Sequence, residues 1–225
     1  MLDMGFSVLF QGKNLARIFG GLGISLKIAF ISLLFSSILG LMFGIIMTSK
    51  RKWIRFLGKL YLESIRIVPL LVWLFIFYFG LTKVFRIHLD GIIVSILVFT
   101  MWGIAEVGDI VRGAIISLPN HQKESGLALG LSEWNIYLYI MIPQALRRML
   151  PGLINLSTRM IKTTSLVVLI GVVEVLKVGQ QIIEFSMIKN PTAPFYIYSF
   201  IFILYFIVCY PISILSKKLE RRWEV

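Results

Sequence analysis

The sequence predicts an all-α membrane protein with five transmembrane helices, and three observations predict it. Hydrophobic residues make up 58% of the 225 residues and charged residues 15%, with a mean hydropathy of +0.88. That balance lies outside the range of water-soluble domains. Five apolar stretches are each long enough, at about 1.5 Å per residue, to cross a hydrocarbon core of about 30 Å. The net charge of +12 sits at the ends of those stretches, as topology determinants beside anionic lipid do, which argues against nucleic acid as a partner.

Residues 1–22 mix Phe6, Val8, Leu9, Phe10, Leu15, Ile18 and Phe19 with Gln11, Lys13, Asn14 and Arg17. This pattern predicts an N-terminal amphipathic helix lying in the membrane interface. No cleavable signal peptide is expected, because no small-residue cleavage site follows the first apolar stretch. A single membrane domain then spans 23–217. Helix 1 covers about 24–47; its one charge, Lys27, is near an end and can snorkel. The segment SKRKWIRFLGK is the most basic connection and is placed in the cytoplasm. Helix 2 covers about 60–81 with a kink at Pro69, and Glu63 and Arg66, three apart on one face, can pair. Helix 3 covers 91–117 and carries Glu106, Asp109 and Arg112. A polar connection, 118–150, includes the basic pair Arg147 and Arg148. Helix 4 covers 151–173, with Pro151 as its first-turn residue. Residues 174–195, with Pro191 and Pro194, read as an outer loop holding a short helix. Helix 5 covers 196–216, and 218–225 form a basic cytoplasmic tail. This path puts the N-terminus outside and the C-terminus inside.

The polar connection contains ESGLALGLSEWNIYLYIMIP, from Glu124 to Pro143. Gln122 to Leu129 can form a short helix. Gly130 can turn the chain, since glycine alone adopts a left-handed conformation cheaply. Ser132 is placed to cap the next helix, which ends before Pro143. A short helix at the membrane face can dock into a partner's groove.

The spacing of Glu124, Ser125, Gly126, Gly130, Ile142 and Pro143 resembles the coupling loop of ABC importer membrane subunits, Glu-Ala-Ala-x3-Gly-x9-Ile-x-Leu-Pro. Ser125, Gly126 and Ile142 depart from it conservatively. The likeness covers roughly residues 20–222. Asp109, Arg112 and Gly113 resemble the Glu-x-x-Arg-Gly-Ala-Ile motif of the polar amino-acid branch. Pro143, Gln144 and Ala145, then Pro151, Asn155, Lys162, Thr164, Ser165, Leu166 and Glu174, match its later positions. The resemblance implies a type I ABC importer permease fold in the cytoplasmic (inner) membrane of a bacterium, with the short helix as a cytoplasmic coupling helix. It also implies a second permease subunit, identical or related, a cytoplasmic ATPase dimer carrying MgATP, and an extracytoplasmic solute-binding protein that delivers an amino acid. The chain itself has no G-x4-G-K-[ST] loop, so ATP hydrolysis is expected on a partner chain.

Charge inside a membrane costs about 2.5–3.5 kcal/mol per residue on insertion scales and needs a partner or a wet cavity. Glu106 lies roughly 22 Å along helix 3 and Lys162 roughly 16 Å along helix 4, which brings both near the midplane. Asp109 and Arg159 fall at a second matching level. Two acids on one face of helix 3 and two bases on one face of helix 4 could meet across one contact. One reading is a site for a zwitterion, with Glu106, Lys162, Thr163, Thr164 and Ser165 lining the solute pathway. The other is register-fixing ion pairs, to which Asp109, Arg112 and Arg159 are assigned. The three hydroxyls can line a cavity, satisfy an unwound backbone, or bond back to the preceding turn. His88 and His121 have no accompanying ligand cluster, and no metal or resident cofactor is expected. H-E-x-x-H and G-x-S-x-G are absent, which weighs against intramembrane hydrolases of those types; the resemblance implies a transport subunit that is not itself an enzyme. Two other classes fit the pattern less well: a stand-alone secondary carrier using Glu106 and Lys162, and a membrane scaffold that docks a soluble partner.

Overall fold

The computed structural model describes residues 3–86 and 88–223. In chain order they form α1 (Asp3–Ser7), a 3-10 turn (Val8–Phe10), α2 (Asn14–Met47), α3 (Lys52–Ile67) and α4 (Leu70–Phe75). A π turn (Ile76–Gly80), α5 (Leu81–Phe85), α6 (Gly91–Ile116), α7 (Asn120–Ala128) and α8 (Glu133–Asn135) follow. A second π turn (Ile136–Met141), α9 (Ile142–Thr163), a 3-10 segment (Thr164–Ile170), α10 (Val175–Ser186) and α11 (Ala193–Trp223) complete the chain. Among the described residues, four helical runs are long and apolar enough to cross a membrane: Asn14–Met47, Gly91–Ile116, Glu133–Ile170 and Ala193–Trp223. The interrupted pair α3 and α4 makes a fifth if taken as one span.

Five boundaries differ from those expected. The N-terminal segment does not form one helix that ends before the first span: Asp3–Ser7 is a short helix, Val8–Phe10 a 3-10 turn, and α2 already starts at Asn14. Its apolar side chains have a better burial site than lipid: Val8, Leu9, Ile18 and Leu22 pack with Val175, Val178 and Ile182 of α10 and Ile197 of α11. Arg17 adds a 2.6 Å hydrogen bond to Gln181. The basic connection is not a loop either. Lys52 opens α3, whose charges lie along one face while Gly58, Leu62 and Ile65 are buried. At Pro69 the helix stops instead of kinking. Val68, the residue before proline, is extended at φ −80° and ψ 126°, as the proline ring requires.

The prolines of the fourth span were expected to mark helix ends, and they do not. Helical backbone runs from Glu133 to Ile170, past Pro143 and with Pro151 inside α9. In regular α geometry the Pro143 ring would press on the carbonyl four residues back. The wider π turn over Ile136–Met141 relieves that contact. The last helix likewise continues through Pro211 to Trp223, taking in most of the expected basic tail.

The chain divides into two compact units. One comprises Met1–Ser32, Leu70–Phe99 and Thr158–Pro211. Its core is the cluster built on Val8, Ile18, Val175, Ile182, Ile197 and Ile201. Gly21 lets α2 meet the start of α10 backbone to backbone: a Cβ there would stand 2.8 Å from the Val175 nitrogen. The other unit comprises Leu33–Pro69, Thr100–Ser157 and Ile212–Val225. Its core joins Val107, Val111 and Ala114 of α6 to Ala145, Met149 and Leu156 of α9. Gly40 and Gly44 bring α2 close to α6, since Cβ atoms there would lie 2.6 Å from Val107 Cβ and 2.7 Å from the Gly108 carbonyl oxygen. Small residues four apart allow such close helix packing. Ser216 of α11 donates to the Pro151 carbonyl at 2.8 Å.

Candidate functional site

The polar hairpin belongs entirely to the second unit. Leu118 ends the turn that follows α6, and Pro119, extended at φ −62° and ψ 133°, starts α7. α7 closes with a glycine turn. Gly130 has φ +77°, and the Gly130 and Leu131 amides bond to the Leu127 and Gly126 carbonyls at 2.9 and 3.0 Å. This is the Schellman pattern, which depends on a left-handed residue after the helix. Ser132 then caps α8, its hydroxyl accepting from the Asn135 amide at 3.2 Å. The turn and the cap form as the local sequence dictates.

Three contacts hold the hairpin's shape. Gly126 is buried against Ile136, and a Cβ there would stand 2.7 Å from Ile136 Cγ1. Gly126, where the resembled pattern has Ala, therefore suits the branched side chain that faces it. Lys123 pairs with Glu133 at 3.0 Å. At the base, Gln144 donates to Gln122 at 2.8 Å, and Arg148 donates to the Ser117 carbonyl and hydroxyl at 2.8 and 2.9 Å. Glu124, Ser125 and Pro143 are exposed.

The intramembrane charges of the same unit assemble around Arg66. Its Nη1 lies 2.9 Å from Asp109 Oδ2 and its Nε lies 3.3 Å from Glu106 Oε1. Arg112, one turn beyond Asp109, reaches Asp109 Oδ1 at 2.6 Å. Two guanidinium groups and two carboxylates thus cancel. Charge-assisted bonds of this kind offset part of the desolvation that burial of Glu106, 8% exposed, requires. Arg66 is in the last turn of α3, where the helix dipole favours a cation.

Within the second unit the carboxylates of α6 are bonded by Arg66 of α3 and by Arg112. Arg66 was read as a partner for Glu63. Sequence spacing ranks neighbours within one helix and gives no register against another. Glu63 itself makes no ion pair among the described residues.

In the first unit, α9 ends at Thr163 and the backbone tightens to 3-10 over Thr164–Ile170. The hydroxyls of Thr163, Thr164 and Ser165 bond back to the carbonyls of Arg159, Ile161 and Lys162 at 2.8, 2.7 and 2.9 Å. Such back-bonding competes with the helical ladder and accompanies the change of winding. Lys162 and Ser165 line a cavity of about 370 Å³ with Leu176, Tyr198, Phe202 and Tyr205. Glu174 was expected at the start of the outer loop that follows helix 4. It is instead the fully buried N-cap of α10, accepting from the Lys177 amide at 2.9 Å and the Ser25 hydroxyl at 3.1 Å. Burial pushes its carboxyl above the ordinary value, against the pull of those hydrogen bonds.

Apolar helices of spanning length joined by an exposed polar hairpin define a multi-pass integral membrane protein. The family model for "Binding-protein-dependent transport system inner membrane component" matches residues 40–225, and the chain belongs to that family. It is 32% identical over 208 residues to the glutamine transport system permease protein GlnP of Escherichia coli (strain K12), covering 91% of this chain and 92% of that one. It is 30% identical over 205 residues to the L-cystine transport system permease protein TcyB of Bacillus subtilis (strain 168), covering 91% and 86%. Among solved structures it resembles an amino acid ABC transporter crystallised with histidines, at a TM-score of 0.83 and 28% identity over 93% of this chain and 95% of that chain. The MetNI methionine ABC transporter shares the fold, at a TM-score of 0.66 and 19% identity. The fold is that of an ABC importer permease subunit.

Proposed function

We propose that this chain forms the translocation pathway of an amino-acid ABC importer and is driven through its polar hairpin by a separate ATPase. The hairpin carries the proposal. Glu124 is exposed and makes no ion pair among the described residues. Around the turn Leu129, Trp134 and Tyr139 are 81%, 72% and 73% exposed. An unpaired carboxylate among large exposed apolar side chains, on a helix fixed by a glycine turn and a serine cap, suits burial by another protein.

The names of the relatives support an amino acid as solute. In this reading an extracytoplasmic binding protein delivers it, a second permease subunit completes the pathway, and MgATP is held by the ATPase dimer. The chain lies in the bacterial inner membrane with its N-terminus outside and its C-terminus inside. ATP binding draws the ATPases together, the hairpins follow, and the helix bundles rock from inward-facing to outward-facing. Lys162, with Ser165 beside it in the cavity, is the group best placed to meet a solute carboxylate. Glu106, held by Arg66, serves to fix α3 against α6.

The test is a single cysteine at Glu124 in a Cys209→Ser background, cross-linked within the purified complex. A product joining this chain to the ATPase subunit is expected. Cross-links confined to other membrane chains, with the ATPase present, would overturn the assignment of the hairpin.

A further inference from the structure

α3 presents two exposed faces beside the one it buries. Lys52, Arg55 and Lys59 lie along one of them and line, with Arg66 and Arg112, a cavity of about 470 Å³ floored by Met47 and Leu62. The next face carries Trp53, Leu57, Leu60 and Ile67, all exposed.

The charges of this cavity separate into two sets. Arg66 and Arg112 are spent on Asp109 and Glu106. Lys52, Arg55 and Lys59 make no side-chain hydrogen bond or ion pair among the described residues. Glu63 is the other carboxylate in the lining besides Asp109, so the second set carries a net charge of about +2. Three unpartnered cations in a shallow cavity, spaced i, i+3 and i+7 on one helix, form a receptor for a phosphate group. The apolar stripe next to them is what an acyl chain would cover.

We propose that this groove binds the headgroup of an anionic phospholipid, with Lys52, Arg55 and Lys59 on the phosphate and the acyl chains along Trp53, Leu57 and Leu60. The bound lipid would hold α3, and through Arg66 the charge cluster of α6, in place. A soluble phosphate compound would satisfy the cations and leave the apolar stripe uncovered.

The test titrates phosphatidylglycerol into the detergent-purified complex and counts bound lipid by native mass spectrometry. Each basic residue near an anionic headgroup is worth about fivefold in affinity, so Lys52→Gln/Arg55→Gln/Lys59→Gln should weaken retention roughly 10²-fold. The control Lys217→Gln/Lys218→Gln/Arg221→Gln removes the same charge from the end of α11 and should leave retention unchanged. Trp53→Ala/Leu57→Ala should weaken it with the cations intact, and excess inorganic phosphate should not displace the lipid. Equal retention by the α3 and α11 triple variants overturns the site. Displacement by inorganic phosphate, or indifference to Trp53→Ala/Leu57→Ala, overturns the lipid in favour of a soluble anion.

Discussion

Arg66→Gln is the sharpest probe of how the second unit holds together. The substitution removes the cation shared by Glu106 and Asp109. Asp109 keeps Arg112 at 2.6 Å. Glu106, whose side chain is 10% exposed, loses a charged partner. Breaking a fully buried pair costs about 3–5 kcal/mol. The Arg66 side chain is 37% exposed, so solvent screens the interaction and about 2 kcal/mol is the reasonable expectation. For a chain of this size that corresponds to a fall of roughly 4–8 °C in apparent Tm, read by thermal unfolding of the purified complex in detergent. Adding Glu106→Gln removes the carboxylate that faced Arg66 and should recover part of the loss, because the two positions are directly coupled. If Arg66→Gln leaves Tm unchanged, or the double variant is no better than the single one, the ion cluster is not what fixes α3 to α6.

Three further outcomes follow from particular contacts. Gly130→Val places a branched side chain at φ +77° and should abolish solute-stimulated ATP hydrolysis while basal hydrolysis persists. Gly130→Asn, whose side chain tolerates that conformation, should retain most of the stimulation. Gly44→Leu drives a side chain into the Gly108 carbonyl and should cost about 1–3 kcal/mol or prevent assembly; Gly20→Leu, with open space at its Cβ position, should be neutral in the same unfolding assay. The folded chain binds the Glu174 proton more tightly than the unfolded chain. Its contribution to stability is therefore complete below the unfolded value near 4.5 and is lost as pH rises through the raised folded value. Glu174→Gln keeps an acceptor for the Lys177 amide and should flatten the pH dependence of Tm in that window, whereas Glu174→Ala should lose about 1 kcal/mol of capping at every pH.

The elements that sequence reading placed well are those governed by local rules. The hairpin's left-handed Gly130 and the Ser132 cap follow from the conformational freedom of glycine and from a serine hydroxyl within reach of an amide three residues on. The apolar spans follow from length alone. What was not legible depends on surroundings. Pro143 and Pro151 look like helix ends because proline breaks helices in water. In a spanning helix the backbone has no water to turn to, so it stays helical and relieves Pro143 with a π turn. The first-span boundary was misread because Leu15, Ile18 and Leu22 suit either lipid or a protein partner, and only the packing of α10 decides. Arg66 was missed as the hub of the charge cluster because its partners lie 40 and 43 positions away. Gly40 and Gly44 stand in the sequence as a small-residue pair, but their use against α6 needs the helix register.

The central claim is that the hairpin couples this chain to an ATPase during amino-acid import. The direct measurement is ATP hydrolysis by the complex in liposomes, with its binding protein present, screened over amino acids for the wild type and for Gly130→Val and Glu124→Lys. The account predicts that one amino acid stimulates the wild type, and that both variants assemble, hydrolyse at the basal rate and lose the stimulation. Full stimulation in the assembled variants, or a purified chain that holds no ATPase, would contradict it.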